Sequence, residues 1–280
     1  MAIPCAVVDV EGAPVHGLTR EDFRVTDNGV RRIIDSLWLD QDLPLTLGVI
    51  VDASESQREQ VAEHRKTAID LLEKILRPGD RAFVIRADED VRVWADLSSA
   101  PAELRREIEA APGEVFGQPC PKQQLLPGVR PVSQCGASAL WNALYDAARL
   151  KLKPLPGPKA LLILTDGFDS GSTHTWRQAA DEAHKADATI YAIEYPSAYG
   201  GSYSPDLHRL VVETGGASFR PPAGDYESIV TRLNTDLRRR YIVGFRPEKL
   251  TGKVRHDVVV QVKNPDLSVR ARKTYFEVPQ

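Results

Sequence analysis

The stretch Leu43 to Ser56, LPLTLGVIVDASES, decides how the chain is read. Its apolar run is rich in β-branched residues and too short for a buried helix, which predicts a central strand covered on both faces. The run ends in Asp52, Ser54 and Ser56 at alternate positions, and an amphipathic helix is expected from about Ser56 to Leu76. In open α/β sheets, ligands gather in the crevice at the carboxyl ends of the strands, where these three side chains should sit. One carboxylate and two hydroxyls form the oxygen set that a hard divalent cation prefers.

Outward from this stretch, apolar strands alternate with helical patterns. RAFVIRAD and VRVWADLS read as two strands around a tight turn, able to pair as an antiparallel hairpin at one edge of the sheet. Pro101 to Ala111 reads as a helix, as does the segment from Gly136-Ala137-Ser138 to about Leu152. ALLILTDG is a second fully apolar strand, ending at Asp166, and ATIYAIEY a third. Helices are expected over Thr175 to Ala186, Asp206 to Thr214 and Asp225 to Arg239, with a short strand in ASFRP. This alternation predicts an α/β fold: a doubly wound, mainly parallel sheet flanked by helices, Rossmann-like in layout. Both ends of the chain are different. Residues 1–42 and the last forty alternate polar and apolar positions, and Asp27-Asn28-Gly29 between two such runs is a hairpin signal. The expected organisation is therefore a small sandwich-like β domain from residues 1–42 and 238–280, and an α/β domain over 43–237.

The 280 residues, 42% hydrophobic and 27% charged, are those of a globular protein with a substantial core. A net charge of -3 gives no reason to expect nucleic acid or anionic lipid as partner. No apolar run approaches the roughly 20 residues that span a bilayer. The first residues show no export signal. The chain is therefore either cytoplasmic or lacks its export segment. Among Cys5, Cys120 and Cys135 there is no thiolate-zinc spacing. Cys120 and Cys135 bracket CPKQQLLPGVRPVSQC and are placed to close it as a disulfide, worth around 3 kcal/mol in the chain-entropy model. That bridge requires an oxidising compartment, and two free thiols are the alternative.

The pattern Asp52-x-Ser54-x-Ser56, then Ser138 opening a helix, then Thr165-Asp166-Gly167, resembles the metal-ion-dependent adhesion site of von Willebrand factor A-type domains. GLTREDFRVTDNGV and YIVGFRPE…VRARKTYF are similar to the bacterial VWFA-related family, in which β segments flank such a domain. The resemblance covers nearly the whole chain. It implies that Ser54 and Ser56 bind a cation through their hydroxyls, and that Asp52 and Asp166 bind it directly or through water. It also places Ser138 where the family usually carries threonine, keeping the hydroxyl but losing the methyl that restricts χ1. The implied cofactor is Mg²⁺, with Mn²⁺ or Ca²⁺ as substitutes. The implied partner is a protein that presents an Asp or Glu carboxylate to the cation. The implied place of work is outside the cytoplasm, secreted or in a periplasmic or cell-envelope compartment.

Other residues near these motifs have plainer readings. Asp169 and Ser170 are candidates to support the site from behind, or to cap the helix near Thr175. His174, His184 and His208 read as surface residues, Asp88-Glu89-Asp90 as a solvated turn, and Trp141 as core or partly core. Tyr199 and Tyr203 are rim or loop-packing residues, and Arg238 to Arg240 complement a helix dipole. No phosphate cradle and no Ser-His-Asp or Cys-His arrangement is visible, so the reading is a binding module and not an enzyme. The competing readings are a metal-dependent hydrolase of phosphatase type and a degenerate domain serving only as scaffold.

Overall fold

The structure, a computed structural model, describes residues 1–40, 43–112, 137–198, 200, 203–220, 226–247 and 255–276. Gly136, Cys120, Cys135 and Tyr199 lie outside the described residues, so the disulfide expectation does too. Four strands come first: β1 (Ala2–Val8), β2 (Phe23–Asp27), β3 (Val30–Arg32) and β4 (Ile34–Asp40). Between β2 and β3, Asn28 and Gly29 both take positive φ, 49° and 79°. This left-handed pair matches the twist of a two-residue hairpin.

The α/β part begins with β5 (Thr46–Asp52), in which all seven residues are buried. A short 3₁₀ turn over Glu55–Gln57 follows, and α1 runs from Val61 to Ile75, starting later than the helix expected at Ser56. β6 (Arg81–Ala87), β7 (Val91–Ser98) and α2 (Pro101–Ala110) follow. After 113–136, α3 (Leu140–Asp146) continues into π-helix over Ala147–Leu152, where one uninterrupted helix was expected. Next come β8 (Lys159–Thr165), α4 (Trp176–Lys185), β9 (Ala188–Glu194), α5 (Pro205–Thr214), β10 (Ser218–Phe219) and α6 (Tyr226–Arg238).

These strands form one sheet in the order β10-β9-β8-β5-β6-β7, parallel except for the antiparallel edge pair β6 and β7. α1, α2 and α6 cover one face through residues such as Leu72, Ile108 and Leu233; α3, α4 and α5 cover the other through Leu144, Ala183 and Leu210. The chain order reverses between β5 and β8, and the crevice at that reversal is where such folds bind ligands. Gly48 lets this crossing pack: a Cβ there would sit 2.4 Å from Phe83 Cζ and 2.6 Å from Leu161 Cδ2. The fold is therefore doubly wound, as expected.

Past α6, β11 (Arg240–Phe245), β12 (Arg255–Val262), β13 (Ser268–Ala271) and β14 (Thr274–Phe276) join the N-terminal strands. They make two four-stranded sheets, β13-β1-β11-β4 and β14-β12-β2-β3. Ile3, Cys5 and Val243 of one share a core with Val25, Val258 and Tyr275 of the other. Along β12, buried and exposed residues alternate, as a sheet with one wet face requires. Among the described residues, no helix is long and apolar enough to cross a membrane.

The structure differs from the sequence expectation at a helix-end arginine, a histidine and an acidic turn. Arg238 is buried and donates to both carboxylate oxygens of Asp80 and to the Ile75 carbonyl, tying α6 to the turn before β6. His184 is buried, its Nε2 donating to the Glu213 carbonyl at 3.0 Å, because α4 packs on α5 there. Asp88 and Asp90 are buried as well: Asp88 pairs with Arg86, and the Asp88 carbonyl accepts from Ala139 N at 2.6 Å. The β6–β7 turn is thus roofed by the start of α3. His174 is half-buried and stacks on Tyr145, with ring centroids 3.8 Å apart, while His208 is exposed.

Candidate metal centre

β5 carries Asp52 to the carboxyl edge of the sheet and leaves it fully buried. Its Oδ1 accepts from Ser54 N at 3.0 Å, an Asx turn that bends the chain out of the strand. Its Oδ2 accepts from the Thr165 hydroxyl at 2.5 Å, and that hydroxyl in turn accepts from Gly167 N at 2.8 Å. Burial, and then the negative charge of Asp166, push the Asp52 carboxyl up to about 7. Beyond the bend, the Ser54 and Ser56 hydroxyls lie 3.1 Å apart, the first buried and the second half-buried.

Asp166 follows the last residue of β8, directly across the chain reversal from Asp52, and is buried. Gly167, at φ 80°, turns the chain so that Phe168 N reaches Asp166 Oδ1 at 3.1 Å. Asp166 Oδ2 accepts from the amide of Gln57 at 2.9 Å. Gln57 is fully buried and also donates to the carbonyls of Ser56 and Pro196. It locks the serine loop onto the Asp166 loop. Gln57 does not stand out in the sequence, and Thr165, though part of the Thr165-Asp166-Gly167 motif, shows no role there of its own. Their role arises only when strands far apart in the chain become neighbours. His64 was missed in the same way. It lies beneath Asp52, Nδ1 donating to the Asp52 carbonyl at 3.3 Å, and burial lowers it to about 4, so it is a neutral donor.

Ser138 enters from the third loop. Its N–H donates to the Ser170 hydroxyl at 3.0 Å, and its carbonyl accepts from Ser170 N and Gly171 N at 3.1 and 2.9 Å. The Ser138 stretch is therefore strapped to the loop that leaves Asp166. Its own hydroxyl is buried with no hydrogen-bond partner. Asp169 accepts from Trp141 N at 3.2 Å and from the Ser172 hydroxyl at 2.5 Å. Asp169 thus caps α3. The helix near Thr175 has its own cap in the reciprocal Thr175–Gln178 bonds. Tyr203, 44% exposed, stacks under the Arg220 guanidinium at 3.7 Å.

Three loops thus meet at one sheet edge, offering two buried carboxylates and three hydroxyls. Among the described residues, no group of three or more His, Cys, Asp and Glu side chains is placed to hold a metal. Any cation here would rely on hydroxyls beside two acids. The residues fit that chemistry: all donors are hard oxygens, the acids repel one another, and the orphaned Ser138 Oγ lacks the partner that a buried hydroxyl normally has.

No protein-family profile and no curated protein matches the sequence. Solved structures do match in shape. BatB from Bacteroides thetaiotaomicron aligns at 13% identity and a TM-score of 0.50, over 69% of this chain and 98% of that one. Proximal thread matrix protein 1 from the mussel byssus, in a structure with a zinc-occupied MIDAS motif, aligns at 15% identity and a TM-score of 0.55. That match covers 76% of this chain and 50% of the mussel protein, so this chain spans about half of it. A second structure of the mussel protein gives 14% identity and a TM-score of 0.50, covering 86% of this chain and 51% of that one. At such identities the likeness is one of fold. The fold is von Willebrand factor A-like, a doubly wound sheet with helices on both faces.

Proposed function

We propose that this chain is a cation-dependent protein-binding module. Asp52, Ser54, Ser56, Ser138 and Asp166 hold a divalent cation, for which Mg²⁺ is the reference and Mn²⁺ or Ca²⁺ are substitutes. The observation that carries this reading is the pair of buried acids, Asp52 and Asp166, with only neutral donors on their oxygens and an unpartnered hydroxyl nearby. The zinc-occupied motif of the mussel protein, on a similar fold, supports it. When bound, the cation supplies a Lewis-acidic position for a carboxylate from outside. The chain's own residues do the rest. Gln57 and Phe168 N aim Asp166, Thr165 aims Asp52, and Ser170 holds the Ser138 backbone. The role is recognition of an Asp or Glu on a partner protein, not turnover of a substrate. We place the module outside the cytoplasm, in the envelope or secreted, which fractionation of the producing cell tests directly; a purely cytosolic protein would overturn that placement.

Isothermal titration with Mg²⁺ tests the site. Saturable heat is expected for the intact chain and none for Asp52→Ala. Ser138→Thr, which restores a hindered χ1, should bind several-fold more tightly. No heat in the intact chain would leave the fold a scaffold and end this reading.

A further inference from the structure

The amino edge of the central sheet carries a separate feature. Where β5, β8 and β9 begin, the sheet meets the β1–β11–β4 layer of the sandwich across a cavity of about 670 Å³. This volume lies in the range of small-molecule sites. Leu45, Leu237, Ile242, Trp38 and Phe276 give it a largely apolar wall. Set into that wall are five cations, Lys153, Lys159, Lys185, Arg240 and Arg272, with Asp40 and Asp187 the acids among the described residues that line it. Two of these cations are compensated, Arg272 by Asp187 at 2.5 Å and Lys185 by Glu182 at 2.5 Å. Lys159 and Arg240 are not. Lys159, 9% exposed, donates to the Leu155 carbonyl at 2.8 Å, and no carboxylate lies within ion-pair distance of it among the described residues. Arg240 donates to the Thr189 hydroxyl at 2.7 Å and to the Tyr191 hydroxyl at 2.8 Å, likewise with no carboxylate among the described residues.

A buried ammonium held by one carbonyl is costly unless an anion completes its surroundings. Apolar walls give the body of such an anion somewhere to go. Burial also lowers the Lys159 ammonium from its ordinary range, the sign of a cation short of partners. We propose that this cavity binds a monoanionic organic acid with an apolar body, its carboxylate between Lys159 and Arg240 and its hydrocarbon against Leu237, Ile242 and Phe276. The site is at the opposite end of the strands from Asp52 and Asp166, so it stands or falls independently of the cation reading.

The probe is decanoate, compared by calorimetry with decanol and decyltrimethylammonium, which keep the tail and change the head. Decanoate should saturate one site, with decanol roughly tenfold weaker, as expected for loss of a charge-assisted hydrogen bond. Lys159→Gln and Arg240→Gln should each weaken decanoate several-fold and leave decanol unchanged, with far-UV circular dichroism verifying the fold of each. Two variants are used because either side chain also steadies a strand start. Equal binding of decanoate and decanol, preference for the ammonium probe, or decanoate binding untouched in both folded variants would overturn the proposal. So would saturation by an acidic peptide with no response to decanoate, which would make the cavity a protein-docking site.

Discussion

Strand β8 starts at a buried lysine, Lys159, and passes at its other end into a buried aspartate, Asp166. The two edges of the central sheet can therefore be compared along one strand. At the carboxyl edge, Asp52 and Asp166 receive hydrogen bonds only from neutral groups: backbone amides, the Thr165 hydroxyl and the Gln57 amide. At the amino edge, Lys159 and Arg240 donate only to neutral carbonyls and hydroxyls. Another charge at the same amino edge, the buried Arg238, is matched by Asp80. The contrast separates two treatments of charge. At the α6 junction opposite charges are paired; at the two proposed binding sites one sign is left in place and steadied with dipoles.

The comparison is easiest to break at its paired member. Arg238→Ala strands the Asp80 carboxylate and should cost about 3 to 5 kcal/mol in urea unfolding. A loss below 1 kcal/mol would show that pairing at the junction is not structural. Next comes His184, which lines the amino-edge cavity and is lowered by burial to about 4 from 6.5. The unfolded chain then takes up the proton first, so stability is intact above pH 6.5 and declines as pH falls toward 4. The contribution is on the order of 3 kcal/mol. His64 acts in the same direction, so His184→Gln should reduce the slope without abolishing it. An unchanged slope in that variant would mean His184 is hydrated.

The smallest effect belongs to the carboxyl edge. Burial, and then Asp166, push the Asp52 carboxyl from the usual 3.8 up to about 7 in the fold, so its ionisation weakens the fold as pH rises from about 4 to 7. In EDTA at pH 8, Asp52→Asn should therefore stabilise the chain by about 1 kcal/mol, and the gain should vanish at pH 5. Destabilisation at pH 8 would mean that the hydrogen bonds to Asp52 outweigh its repulsion by Asp166.

Much of the fold is legible in the sequence alone. Apolar runs ending in Asp52 and Asp166 mark strand ends directly, because seven buried residues in a row have few other homes. The hairpin at Asn28-Gly29 is equally local. What resisted reading depends on contacts between distant segments. Gln57 follows the serine motif and looks like the polar start of a helix until the Asp166 loop folds over it. Arg238 sits among three arginines at a helix end, a pattern that usually faces water, and only the turn at Asp80 draws it inward. Asp88 reads as the tip of an exposed turn because nothing nearby in sequence shows that Ala139 will donate to its carbonyl. The cavity was not legible at all, since its walls come from the sheet, α4, α6 and both ends of the chain.

The pairing of β1 has a consequence for how the chain is made. Its neighbours are β11, with Ala2 opposite Gly244, and β13, with Val8 opposite Ser268. During synthesis β1 leaves the ribosome before the α/β part, yet neither neighbour exists until the whole α/β part has been translated. Any piece of the chain that stops before Arg240 therefore exposes the edges of β1 and the Cys5 thiol that the finished sandwich buries. A strand made before the α/β part is completed only after it.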